Sequence, residues 1–223
     1  VSLPKRIIRR FLSSPLGRPL YRWGAAPSRW LAIRHPTVLT LMAMGHLNHF
    51  LTSGRQVNAI VQALRRRKFC NLLIFGFGHD SPFYQAINAG GRTVFLEDHE
   101  GWFRDVTTKY PHLEAYRVHY KTRVSEWQKY LDQPGAYATD LPEAVTNLKW
   151  DLIFVDAPAG FAENTPGRME SIRLASVLIK RPGDVFVHDC QREVENKFST
   201  HFLKAENLKE EIGNLRYYVF AAE

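Results

Sequence analysis

With 223 residues, 45% of them hydrophobic and 13% aromatic, the chain can bury a full core, which excludes disorder throughout its length. Its formal net charge of +8 is unevenly placed: eight Lys and Arg and no acid fall in residues 1–36, so the remaining 22 basic residues balance 22 Asp and Glu. A neutral body without a known nucleic-acid module excludes nucleic acid as the expected partner, and two cysteines, Cys70 and Cys190, exclude a disulfide framework or a Cys-based zinc site.

Residues 1–36 form a basic arm. Hydrophobic residues such as Ile7, Phe11, Trp23 and Trp30 alternate there with arginines, while Pro4, Pro15, Pro19, Pro27 and Pro36 forbid one long helix. Short amphipathic pieces are expected, either in peripheral contact with an anionic membrane or as a solvated extension of the body. No apolar run approaches the roughly 18 residues needed to cross a bilayer, and an anchor or signal upstream of Val1 is left open. Residues 37–69 read as an N-terminal helical segment. An apolar stretch bearing His46, Asn48 and His49 leads into a helix from Arg55 to Arg67, where Val57, Ile60, Val61 and Leu64 recur at helical spacing. Arg65, Arg66, Arg67 and Lys68 at its end complement the helix dipole and read as a solvated face.

Asn71 to Phe75 is an apolar strand, Gly76-Phe77-Gly78 breaks it, and a helix runs from Asp80 to Ala89. A strand, a tight glycine turn and a helix start form a cradle in which a ligand can approach the backbone closely. The alternation then continues: strands over 91–97, 113–120, 150–156 and 184–189, helices over 98–110, 124–131, 142–148, 168–179 and 193–202, and a closing hairpin turned at Gly213-Asn214. This predicts one domain over 70–223 of α/β class, a mostly parallel Rossmann-type sheet closed by an antiparallel C-terminal hairpin, with its ligand crevice at the carboxyl ends of the strands. Cys70 and Cys190 abut strands and read as buried thiols or, alternatively, as a bridge, which leaves the compartment undecided.

Three strands end in carboxylates, Glu97, Asp156 and Asp189, which a parallel sheet gathers along one edge. Glu97 lies about twenty residues past Gly76, the separation at which an acid accepts hydrogen bonds from ribose hydroxyls. Asp98 beside it is expected to cap the next helix if it is not itself at the ligand. The glycine turn lacks the third glycine of the dinucleotide fingerprint and carries His79, Asp80 and Ser81 instead. An acid beside the cradle disfavours phosphate and suits the sulfonium and amino group of S-adenosylmethionine, so the fold reads as a class I methyltransferase. Asp80 is also a candidate N-cap, and Tyr120, ending the third strand, is placed near adenine or in the core.

The segments FGFGHDS (75–81), GGRTVFLED (90–98), WDLIFVDAPAG (150–160), PGRM (166–169) and VFVHDCQREVENKF (185–198) together resemble the glucuronoxylan 4-O-methyltransferase-like family of plant polysaccharide O-methyltransferases, over about residues 70–220. The resemblance implies S-adenosylmethionine-dependent methylation of the 4-hydroxyl of glucuronic acid on xylan, or on a related glycan such as arabinogalactan. Cys190-Gln191 departs from the family's pattern after His188-Asp189, and the segment between the third and fourth strands is shorter, so a relative with another acceptor is a second possibility. The compartment it implies is the Golgi lumen for a plant-type member, and cytoplasmic or membrane-peripheral for a bacterial one.

Methyl transfer to an alcohol needs a base, or a cation that acidifies the hydroxyl. Asp156, His188 and Asp189 are the catalytic candidates: either His188 or Asp156 acts as base, or Asp156 and Asp189 hold a divalent cation such as Mg, Mn or Co. Alternatively, His188 is a packed histidine bonded to Asp156. Arg168 and Arg192 are the candidates to hold the acceptor's carboxylate, or else form surface ion pairs. Two other readings stand beside this one: an O-methyltransferase of a small alcohol or phenol, and a non-catalytic scaffold of a glycan-synthesising complex. The oligomeric state is not indicated.

Overall fold

A computed structural model of the chain describes residues 53–67, 69–134 and 138–222. The basic arm and the segment bearing His46, Asn48 and His49 lie outside the described residues. Helix α1 (Gly54–Arg66) opens on a capping box: Gln56 N donates to Ser53 Oγ at 3.4 Å, and Ser53 N donates to Gln56 Oε1 at 2.8 Å. Then follow β1 (Leu72–Phe75), α2 (Ser81–Ile87), β2 (Thr93–Glu97), α3 (Glu100–Lys109), β3 (Glu114–Arg117), α4 (Trp127–Asp132) and α5 (Glu143–Thr146). The second half is β4 (Trp150–Val155), α6 (Met169–Leu178), β5 (Ile179–Val187), α7 (Glu193–Leu203), β6 (Leu208–Ile212) and β7 (Leu215–Phe220). No helix among the described residues is long and apolar enough to cross a membrane.

The seven strands form one sheet in the order β3-β2-β1-β4-β5-β7-β6. The first five are parallel, while β7 runs antiparallel to both β5 and β6. The order reverses between β1 and β4, and a sheet of this kind opens its crevice at that point.

Period-two alternation divides the strands between two helical layers. Leu73, Phe75, Ile153, Val155, Val185 and Val187 face α6 and α7 through Ile172, Ala175, Phe198 and Leu203. Leu72, Ile74, Leu152, Phe154 and Phe186 face the other way, onto α1 through Val57, Ile60, Val61 and Leu64. Helix α1 therefore shares the core of the sheet. Its basic end is not a purely solvated face: Arg66 Nη2 donates to Tyr217 OH at 2.6 Å and Arg67 Nε to Asp184 Oδ2 at 2.7 Å, tying the helix to β7 and β5.

Several boundaries differ from the sequence reading. Strand β5 begins at Ile179 rather than 184, with a register shift against β4 between Trp150 and Leu152 that absorbs the Arg181-Pro182-Gly183 stretch. The helix expected over 124–131 is a 3₁₀ turn (Val124–Glu126) followed by α4. Asp98 does not cap α3; His99 does, accepting the Trp102 N–H at its Nδ1 at 3.1 Å. Both cysteines are free, buried thiols, and burial pushes Cys70 up to about 12 and Cys190 to about 11.

Candidate active site

The glycine loop sits between the ends of β1, β2 and β4. Gly76 has φ +127°, a conformation open to glycine, and its N–H donates to Leu96 O at 2.8 Å. A Cβ on Gly78 would meet Asp80 Oδ1 at 2.7 Å. Ser81 Oγ accepts the Gly78 N–H at 3.0 Å and so closes the loop on itself.

Around this loop lies a cavity of about 400 Å³, whose wall includes Gly76, Gly78, His79, Asp80, Ser81 and Glu97 and continues to Asp156. Among the described residues, three carboxylates and no lysine or arginine line it. That charge pattern fits a cationic sulfonium nucleoside and disfavours a phosphate.

Glu97, 7% exposed, is fixed by two backbone donors: Phe77 N to Oε2 at 3.1 Å and His99 N to Oε1 at 2.9 Å. A carboxylate accepts about four bonds in all, so Glu97 keeps acceptor capacity for a ligand hydroxyl beside these amides. Burial raises the Glu97 carboxyl, and these amide bonds work against the rise. Asp80 stands at the start of α2, yet its side chain makes no capping bond. Burial, reinforced by Asp156, pushes it up to about 7, leaving it poised to ionise beside a cation.

Two wall residues were not anticipated. Trp102 of α3, 43% exposed, packs edge-on against the His79 ring at 5.0 Å between centroids. Tyr84 of α2 is 2% exposed, and its hydroxyl has no partner among the described residues. Neither belongs to a motif that spacing marks as functional. An orphan buried hydroxyl on a cavity wall is a vacancy for a ligand acceptor.

Asp98 and Tyr120 are not brought to the cavity wall. Asp98 is half-buried beyond β2. Tyr120 packs against the core and accepts a bond from Ser171 Oγ at 3.1 Å, its phenol raised by burial.

Past the cavity, the ends of β4 and β5 bring Asp156, His188 and Asp189 together. His188 Nδ1 is 3.0 Å from Asp156 Oδ1 and 3.4 Å from Asp189 Oδ1. Burial pulls the imidazole down, but the two acids outweigh it and carry His188 to about 9, so it is an imidazolium at neutral pH. Burial acts to raise Asp189, yet His188, Arg168 and Arg192 hold it well below the carboxylate range. Asp189 adopts φ +63°, which an Asp tolerates better than most residues. Its Oδ1 is held from the hairpin side by Asn214 Nδ2 at 3.1 Å, and Asn214 Oδ1 in turn accepts from Gln56 of α1. Sequence spacing gives no hint of Asn214 or Gln56, which lie far along the chain from the acid that they position.

Arg168, a candidate for the acceptor's carboxylate or for a surface ion pair, is not at the surface: its side chain is 6% exposed, its Nη2 lies 3.0 Å from Asp156 Oδ1 and 2.9 Å from Asp189 Oδ2, and its buried Nη1 has no hydrogen-bond partner among the described residues. The guanidinium is thus a second cation, with the His188 imidazolium, between the two acids. Donor atoms of Asp156, His188 and Asp189 do lie within 4.8 Å of one another. As arranged they do not fit a divalent ion, because an ion held by both acids has to displace Arg168. Arg192 stays nearer the surface, 28% exposed, with Nη2 on Asp189 Oδ2 at 3.0 Å.

Known proteins share both the sequence and the fold. The model of the family described as IRX15/IRX15L/GXM matches residues 55–139 and 136–218. Glucuronoxylan 4-O-methyltransferase 3 of Arabidopsis thaliana is 36% identical over 209 residues, covering 82% of this chain and 70% of that one. Arabinogalactan O-methyltransferase 2 of the same plant is 35% identical over 191 residues, 74% of this chain and 66% of that one. A crystal structure of a putative caffeoyl-CoA O-methyltransferase from Staphylococcus aureus shares the fold, with TM-score 0.51 and 12% identity over 87% of this chain and 99% of that one. The match begins upstream of residue 70 and takes in α1, which builds the same core as the sheet. With the family model matched from residue 55 to 218 and a relative 36% identical over 82% of this chain, the chain belongs to the IRX15/IRX15L/GXM family.

Proposed function

We propose that the chain is an S-adenosylmethionine-dependent O-methyltransferase acting on the 4-hydroxyl of glucuronic acid carried by glucuronoxylan or a related glycan such as arabinogalactan. The observation that carries the reading is the cavity at the sheet's switch point, lined among the described residues by Asp80, Glu97 and Asp156 without a cationic side chain, in a chain related to glycan O-methyltransferases. When bound, S-adenosylmethionine supplies a methyl group on a positively charged sulfur.

Glu97 holds the ribose hydroxyls through the lone pairs that the Phe77 and His99 amides leave free. Asp80 faces the amino group, and the Tyr84 hydroxyl is available to the carboxylate of the methionine moiety. Asp156 belongs to both the cavity wall and the acid cluster, so it is the group that meets an incoming hydroxyl. Its carboxylate receives the hydroxyl proton as the oxygen gains its methyl. His188, charged at neutral pH, fills no base role; with Arg168 it fixes the Asp156 carboxylate in orientation. Asp189 balances those two cations. Positioning and charge placement carry the work, as expected for an in-line displacement. No step is assigned to a divalent cation.

The test is methyl transfer from labelled S-adenosylmethionine to glucuronic-acid-bearing xylo-oligosaccharides and arabinogalactan, against catechol and simple alcohols, with and without chelator. Transfer to the uronic acceptors alone supports the reading. Transfer to catechol alone assigns the site to small phenols, and binding without transfer to any acceptor assigns it to the scaffold alternative.

A further inference from the structure

The loop joining β4 to α6 carries a feature that the transfer described above does not use. It is pinned along its length: Gly167 N donates to Ala159 O at 2.8 Å, Val124 N to Thr165 O at 2.9 Å, Ser125 N to Glu163 O at 3.0 Å and Thr122 Oγ1 to Pro166 O at 2.8 Å. From this fixed loop Phe161 stands 77% exposed, more than any other large hydrophobic residue among those described. A single exposed ring is ordinary on a protein surface; its neighbours distinguish this one. A Cβ on Gly160 would lie 3.4 Å from Arg192 Nη1 and 2.4 Å from Glu195 Oε1. Glycine at 160 thus lets the start of α7 close on the loop and brings the Arg192 guanidinium against the residue preceding Phe161. Apart from Asp189 and the charge of the buried Glu195 carboxylate, Arg192 has no acceptor among the described residues.

We propose that Phe161 and Arg192 form the acceptor subsite for a uronosyl residue, the phenyl ring stacking on the apolar face of the pyranose and the guanidinium taking its carboxylate. The two groups read different properties. The negative face of an aromatic ring attracts the sugar's C–H groups whatever the acceptor's charge, whereas the forked donors of arginine match a carboxylate. Regiochemistry follows from the same placement. Arg192 and Asp156 are linked through Asp189 and Arg168 by contacts of 3.0, 2.9 and 3.0 Å. In a uronic acid the carboxylate and the 4-hydroxyl sit on neighbouring ring carbons, so a carboxylate anchored at Arg192 keeps the 4-hydroxyl on the Asp156 side. This rests on the reading that the acceptor is an acidic glycan.

The experiment measures kcat and KM for the wild type, Phe161→Ala, Phe161→Tyr and Arg192→Gln, on a glucuronic-acid-bearing xylo-oligosaccharide and on its carboxyl-reduced counterpart. Losing one aromatic anchor is expected to raise KM about tenfold for both acceptors, with Phe161→Tyr restoring it and S-adenosylmethionine affinity unmoved. Arg192→Gln is expected to lower kcat/KM on the acidic acceptor about a hundredfold more than on the carboxyl-reduced one: both lose the contact to Asp189, but a charged pair with the substrate is lost only with the former. Thermal unfolding of each variant checks that the fold is kept. Phe161→Ala at wild-type KM, or Arg192→Gln depressing both acceptors equally, overturns the subsite while leaving the methyltransferase reading standing. A wild-type chain that methylates no uronic acceptor overturns both.

Discussion

Replacing Arg168 by methionine tests whether an arginine, in place of a metal, holds the acid pair together. The side chain is 6% exposed and one nitrogen touches both carboxylates, at 3.0 and 2.9 Å. Its removal leaves Asp156 and Asp189 sharing only the imidazolium of His188 and, for Asp189, Arg192. Removing one partner of a buried ionic cluster costs about 3–5 kcal/mol, which in a chain of this size lowers Tm by about 6–20 °C. The assay is thermal unfolding of wild type and Arg168→Met, each with chelator and with Mg²⁺, Mn²⁺ or Co²⁺. The wild type is expected to ignore both additions. The variant is expected to melt lower and to regain part of the loss with an ion, since its three donors within 4.8 Å are then free to bind one. Wild-type protein stabilised by an ion and stripped of activity by chelator refutes the reasoning, as does a variant that melts with the wild type.

Glu97→Ala is expected to weaken S-adenosylmethionine binding about a hundredfold or more, two bonds to a charged acceptor being worth about 1.5–3 kcal/mol each; calorimetric titration measures it. His188 gives a pH signature. Its folded pKa of about 9 lies above the ordinary 6.5, so the stability it contributes is whole below pH about 6.5 and is lost as pH rises through about 9. Denaturant midpoints across that window are expected to fall in the wild type and to flatten in His188→Gln. Because the imidazolium orients Asp156, methyl transfer is expected to decline above pH about 9; a rate rising through that pH indicates that neutral His188 is the base.

The cradle was legible because its parts are local. Four apolar residues, two close glycines and an acid about twenty positions on report their geometry through spacing alone, and β1, Gly76, Gly78 and Glu97 lie where that spacing puts them. The convergence of Asp156 and Asp189 followed from strand ends in a parallel sheet. The partner of those acids did not. Arg168 read as facing the acceptor or a surface ion pair because it opens a helix after a loop, whereas the fold turns its guanidinium inward onto Asp156 and Asp189. Asn214 likewise reaches Asp189 from a hairpin 25 residues away in sequence. Tyr84 and Trp102 carry no polar pattern of their own, and their helical spacing reads the same whether they face a core or a cavity. Asp98 and His99 both have caps' side chains, and the choice of His99 rests on where the chain leaves β2.

The most direct measurement is isothermal titration of the folded chain with S-adenosylmethionine, S-adenosylhomocysteine and NADH. Saturable binding of both sulfur nucleosides, tighter for the sulfonium in a pocket with three carboxylates, together with silence towards the phosphate-bearing nucleotide, is the expected result. Indifference to both sulfur nucleosides, or a preference for NADH, contradicts the account.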